Sequence, residues 1–168
     1  MFEARNVAII DLCQTYHLVE DAILLNLKRS SEELSHSVAS LLVDQGHVDR
    51  DALLDRVANY LGLERRSNVP PEIPSQVIGE IDVKLARMYG VVPIESMDTG
   101  ILFIALDPFD SQIVDNLSFA VGKDARIEVA DPRTVQELLD VYYRFGDADY
   151  LGILEEVDYA GGEADDMS

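Results

Sequence analysis

The residue pattern predicts an α+β (α/β) chain: a small N-terminal helical subdomain over residues 1–63, then a compact three- to four-stranded sheet with packed helices over 74–146. Three observations lead there. Apolar residues recur at helical spacing through the first sixty positions. Pro70, Pro71 and Pro74 in "LERRSNVPPEIP" then forbid helix continuation and mark a connection over 64–73. Beyond it, the unbroken apolar runs "VVPIES" and "GILFIAL" alternate with helical periods, as buried strands do.

Each element has a local reason. "EDAILLNL" is apolar, and Glu20 and Asp21 place negative charge where a helix N-terminus favours it. "SVASLLVDQG" puts Val38, Leu41 and Leu42 on one face and ends on Gly46, a residue suited to follow a helix. In "DRDALLDRVANYLG", Asp49 is the expected cap, Leu53, Leu54, Val57, Ala58 and Leu61 form the stripe, and Gly62 closes it. Three or four short helices with tight turns at His17 and His47 result. "SQVIGEIDVKLARMYG" is helical with a break at Gly79, its second piece capped by Asp82 and closed by Gly90. "MDTG" reads as the turn of a hairpin. In "DPFDSQIVDNLSFAVG", Ile113, Leu117, Ala120 and Val121 are the expected buried face, with Asp110 or Ser111 as cap. "ARIEVA" is a third strand. Asp131-Pro132 opens a last helix, with Val135, Leu138, Leu139 and Tyr142 buried and Gly146 as its end.

Charge restricts the partners. The formal net charge is −19, with 13 Lys and Arg along 168 residues, which argues against nucleic acid and against anionic membrane surfaces. A basic protein patch suits that field better. The 48% hydrophobic content suffices for a core. Cys13 is the single cysteine, read as a core residue, so no intrachain disulfide and no cysteine-based zinc site are expected. His17, His36 and His47 lack metal-ligand spacing. No run spans a bilayer and no export signal opens the chain, which implies a cytoplasmic location. Residues 147–168 form an acidic segment without Lys or Arg, its last residues expected to be solvated. Tyr150, Leu151, Ile153 and Leu154 within it are candidates for partner binding.

No residue constellation points to bond-making. Asp107, Asp110 and Asp115 in "ALDPFDSQIVDNL" could rim a site at a strand end. Turn formation by Asp107-Pro108 and capping by Asp110 explain them more simply. "LSFAVGKD" fails as a phosphate loop, having Leu117 where the first Gly belongs and Asp124 where Ser or Thr belongs. Arg65-Arg66 is a dense positive spot, suited to an anion or, more simply, to a helix C-terminus and solvent. The expectation is no catalytic residue, no metal and no cofactor.

Four segments in succession carry a family resemblance: "LLVDQGHVDRDALLDRVANYLGL", "KLARMYGVVPI", "LFIALDPFDSQIVDNLSFAVG" and "ARIEVADPRTVQELLDVYYRFG". From Val38 to Gly146 the chain resembles the N-terminal domain of type II secretion and type IV pilus assembly ATPases, the GspE N-terminal or MshEN family. "LCQTYHLVEDAILLNL" is similar to a weaker copy of the first segment, implying tandem helical units. The resemblance implies a non-catalytic adaptor that docks a motor on an inner-membrane platform protein. In the MshEN branch it implies instead a module that binds cyclic di-GMP. That branch has Arg-Leu-Gly where this chain has Ser37, Val38 and Ala39, ahead of Gly46. In the first unit "VAI" stands there, with Tyr16 at the late Gly position. Losing Arg removes a partner for phosphate or guanine, and losing Gly closes the backbone approach. Cyclic di-GMP binding is therefore expected to be weak or absent. No ATPase segment follows within the 168 residues. A stand-alone adaptor serving a motor in trans and a domain separated from its motor both fit, and the absence of a tag favours the first.

Overall fold

The computed structural model describes residues 3–144, and of Glu3 and Ala4 only the backbone. Four helices come first: α1 (Glu3–Thr15), α2 (Asp21–Leu34), α3 (Val38–Asp44) and α4 (Arg50–Leu61). Two short helices follow, α5 (Ser75–Ile78) and α6 (Val83–Tyr89), separated at Gly79. The hairpin β1 (Val91–Met97) and β2 (Gly100–Ala105) leads through α7 (Ile113–Val121) to β3 (Asp124–Glu128) and α8 (Pro132–Tyr142). The fold is α+β, with one three-stranded sheet in the order β1-β2-β3 among the described residues.

Local chemistry accounts for the ends of these elements. Asp49 caps α4, its carboxylate accepting the Ala52 N–H at 3.2 Å. Gly46, Gly62 and Gly90 carry positive φ after α3, α4 and α6. Met97 faces Gly100 in the hairpin, which leaves Asp98 and Thr99 as a two-residue loop. β1 is antiparallel to β2 and irregular between Pro93 and Glu95, as suits a strand with proline at a sheet edge. β2 and β3 are parallel, so a crossover must join them, and α7 provides it. All six β2 residues are buried, hence its unbroken apolar sequence.

Two apolar clusters form among the described residues. Ile9, Leu12, Cys13, Leu24, Val38, Leu42 and Leu53 unite α1–α4. Phe103, Ile104, Val91, Leu117, Val135 and Tyr143 unite the sheet with α5–α8. Val129, beyond the end of β3, packs with the helical cluster. Its N–H donates to the Glu64 carbonyl at 2.9 Å and its carbonyl accepts the Arg66 N–H at 2.7 Å. The start of the connection thus runs parallel beside the chain at Val129 instead of merely linking two parts.

Several expected details move. β3 lies over Asp124–Glu128 instead of 125–130, because Val129 turns to the connection. The final helix stops at Tyr142, short of Gly146, because Tyr143 turns inward and its hydroxyl donates to the Ile78 carbonyl at 2.6 Å. Tyr143 is fully buried in place of Tyr142, whose hydroxyl accepts the Ile73 N–H at 3.0 Å. Ala120 is exposed, and α7 buries only Ile113 and Leu117 while leaving Phe119 in water. Gly146, the acidic segment, and Tyr150, Leu151, Ile153 and Leu154 lie outside the described residues.

Candidate functional site

A slot of about 180 Å³ opens where α3, α4 and the start of α8 meet the β2–α7 loop. Ile9, Val43, Leu53 and Phe109 contribute to an apolar floor. Arg5, Arg50 and Arg133 reach its rim. Arg50 and Arg133 lie in the first turns of α4 and α8, at the helix ends where the dipole disfavours a cation.

Asp107 and Asp131 pair with these arginines. Asp131 caps α8 by accepting the Arg133 N–H at 3.0 Å and pairs with the Arg133 side chain at 2.9 Å. Arg50 approaches the same carboxylate only to 4.0 Å. Burial raises the Asp131 pKa, but the hydrogen bonds from Arg133 and the charges of Arg133 and Arg50 outweigh it, holding the group below its ordinary value. Arg5 pairs with Asp107 at 3.3 Å. Asp44 and Glu137 also act on Arg133 through their charges, so carboxylates as well as arginines surround the rim.

Asp107 answers the question its sequence position raises. Its carboxylate accepts the Phe109 N–H at 3.1 Å, closing the turn at Pro108, and its other oxygen holds Arg5. Asp110 accepts the Gln112 N–H at 3.0 Å, although the residue immediately before α7 is Gln112 and not Asp110 or Ser111. Asp115 lies exposed in the first turn of α7. These carboxylates serve turns and helix starts, and among the described residues no group of three metal-type ligands forms. Arg65 pairs with Asp51 and Asp55 of α4, and Arg66 with Glu128, so this pair braces the connection against helix and strand.

The motif positions border the slot. Ser37 and Ala39 line it, while Val38 is fully buried and its N–H donates to the Asn6 side-chain oxygen at 3.0 Å. The Ser37 hydroxyl accepts the Ser40 N–H at 3.1 Å and so caps α3. Gly46 faces open space at φ 76° and does not line the slot. The first helical unit does repeat this turn, with an offset one residue shorter than the sequence suggests. His17, not Tyr16, takes the left-handed conformation, at φ 54°. The Leu18 N–H donates to the Cys13 carbonyl as the His47 N–H does to Leu42. Tyr16 instead places its ring beneath Arg56, 4.9 Å from the guanidinium carbon.

Sequence reasoning did not anticipate Arg5, Arg50, Arg133, Asp131 and Phe109 as neighbours. The available cue was an arginine one residue after the cap Asp49 and another two residues after the cap Asp131.

The fold is a small α+β domain with an apolar slot rimmed by arginines. Residues 50–149 match the MshEN domain, well over half of the chain, and the chain belongs to that family. In structure it is similar to MshE with cdg, at 17% identity and a TM-score of 0.66, over 80% of this chain and 98% of that one. It is also similar to the N-terminal domain of XpsE, at 17% identity and a TM-score of 0.55, over 82% and 95%. No curated relative matches it by sequence. No helix among the described residues is long and apolar enough to cross a membrane.

Proposed function

We propose that the chain is a non-catalytic docking module that joins a protein partner to a secretion- or pilus-type machine on the cytoplasmic side. Family membership supplies the setting. The observation that carries the reading is the slot, whose 180 Å³ falls below the roughly 300–1,000 Å³ of clefts that enclose drug-sized ligands. It suits one or two apolar side chains of a protein with a carboxylate beside them. The hydroxyl of Ser37 is engaged in capping α3, and Ala39 places a methyl group where glycine would open the wall. The family match starts at Arg50, beyond Ser37, Val38, Ala39 and Gly46.

Affinity capture with the full chain from the source cell, read by mass spectrometry, is expected to recover a secretion or pilus component. The doubly substituted Arg50→Glu, Arg133→Glu chain should lose it. Recovery of no such component from repeated captures would count decisively against the reading.

The second reading, cyclic di-GMP sensing, is favoured by the three arginines around the slot and by the shared fold with MshE with cdg. Isothermal titration separates the two. A micromolar isotherm with cyclic di-GMP establishes the second reading, and a flat trace removes it.

A further inference from the structure

Arg5 and Asn6 are consecutive on α1, so their side chains leave the helix about 100° apart. Arg5 lines the slot and pairs with Asp107 of the β2–α7 loop at 3.3 Å. Asn6 points inward between α1, α2 and α3 and is only 9% exposed. Its side-chain oxygen accepts the Val38 N–H at 3.0 Å, and its amide donates to the Ser31 hydroxyl at 2.9 Å. Ser31, itself buried, donates onward to the His36 carbonyl. We infer that Asn6 is a positioning residue for the slot: through Val38 it fixes the first turn of α3, where Ser37 and Ala39 line the slot. The inference rests on the docking reading of that slot and adds the buried device that holds its α3 wall in place.

The need arises at the helix start, where the first N–H groups have no intrahelical acceptor. Ser37 caps α3 by accepting the Ser40 N–H at 3.1 Å. That leaves the N–H of the fully buried Val38 to find an acceptor elsewhere, and Asn6 supplies one from 32 positions away. An apolar side chain at position 6 could fill the same space. It would leave that donor unpaired, however, and would not fix the rotation of α3 about its axis. The relay also has one direction. Ser31 gives its proton to His36 and so can only accept from position 6, which requires an amide and disfavours an ionised carboxylate there. One turn of α1 thus reaches two borders of the slot, α3 through Asn6 and the β2–α7 loop through Arg5. Asn6, Ser31 and Val38 all precede Arg50, where the match to the MshEN domain begins, so family membership assigns them no role.

Amide hydrogen exchange in the full chain, read by NMR, tests this. In Asn6→Ala the Val38 amide should exchange at least about tenfold faster relative to the Ile104 amide of β2, a ratio that cancels a general loss of stability. The Ala39, Ser40 and Val43 amide signals should shift more than those of β2. Ser31 does not line the slot, yet Ser31→Ala should move the same signals, and it decides the matter where Asn6→Ala does not fold. Tyr143→Phe breaks a buried hydrogen bond in the other cluster and should leave the ratio within about twofold of the parent. A smaller rise at Val38, or shifts no larger than those of β2, overturns the inference. Affinity capture adds a functional arm: Asn6→Ala should lose the partner that Tyr143→Phe retains, and equal recovery by the two also overturns it. Exchange is read without a partner, so a parent chain that captures nothing counts against the docking reading alone.

Discussion

Asn6 is nine-tenths buried between α1, α2 and α3, and its two ends do different work. Its amide donates to the Ser31 hydroxyl at 2.9 Å while its oxygen accepts the Val38 N–H, and Ser31 donates onward to the His36 carbonyl. Substituting Asn6→Ala strands a buried backbone donor. The expected loss is about 1–3 kcal/mol in urea unfolding, and less than a few tenths would mean that water replaces the side chain. Tyr143→Phe removes one buried hydrogen bond to the Ile78 carbonyl, with an expected loss of about 1–2 kcal/mol. Cys13 makes a pH prediction. Burial raises its thiol from 9.0 to about 11, so folding favours the protonated form. That contribution is complete below pH 9 and disappears as pH climbs through 11. Alkylation of Cys13 at pH 8 should therefore require unfolding, and prompt labelling of the native chain would contradict its placement.

Among the elements, α8 starts on a single charged cap. Asp131 caps it, and its depressed pKa means that the native state prefers the carboxylate. Stability from this group is present above the unfolded value, about 3.9, and is lost as pH falls through the lower folded value. Asp131→Ala should cost about 0.5–2 kcal/mol at pH 7 and flatten the acid limb of the stability profile, which thermal melts across pH 3–6 can measure. The β2–β3 pair depends on Gly100 for a different reason. A Cβ there would lie 2.6 Å from the Asp124 carbonyl oxygen of the neighbouring strand, a distance that backbone must move to relieve. Gly100→Ala is expected to be destabilising, and a melt unchanged from the parent would show that the strand end yields freely.

For the molecule as a whole, a net charge of −19 opposes compaction. Arg65 with Asp51 and Asp55, and Arg66 with Glu128, offset this at the joint between helices and sheet. Partly exposed pairs of this kind contribute about 0–1 kcal/mol each, so general repulsion should dominate. Raising sodium chloride from 0.02 to 0.3 M (about 20 Å down to about 6 Å of Debye length) is expected to raise the melting temperature. A fall with salt would show instead that the joint pairs outweigh the repulsion.

How much of this was written in the chain follows from the range of each interaction. Periodicity, caps and turn glycines act over a few residues. The α4 stripe from Leu53, the Asp49 and Asp131 caps, the break at Gly79 and the "MDTG" hairpin could therefore be read directly, as could the core role of Cys13 and the turn role of Asp107. The ordered succession of segments also pointed to the family. Other features depend on residues that folding alone brings together. Val129 pairs with the chain at Glu64–Arg66, Tyr143 turns inward to reach Ile78, and the one-residue shift of the first repeat appears only in the backbone of His17. The slot belongs to the same class. Arg5, Arg50, Phe109 and Arg133 come from four separate stretches, and no local rule relates their positions. Only the packing of α1, α4 and α8 against the end of β2 sets three cations around one apolar floor.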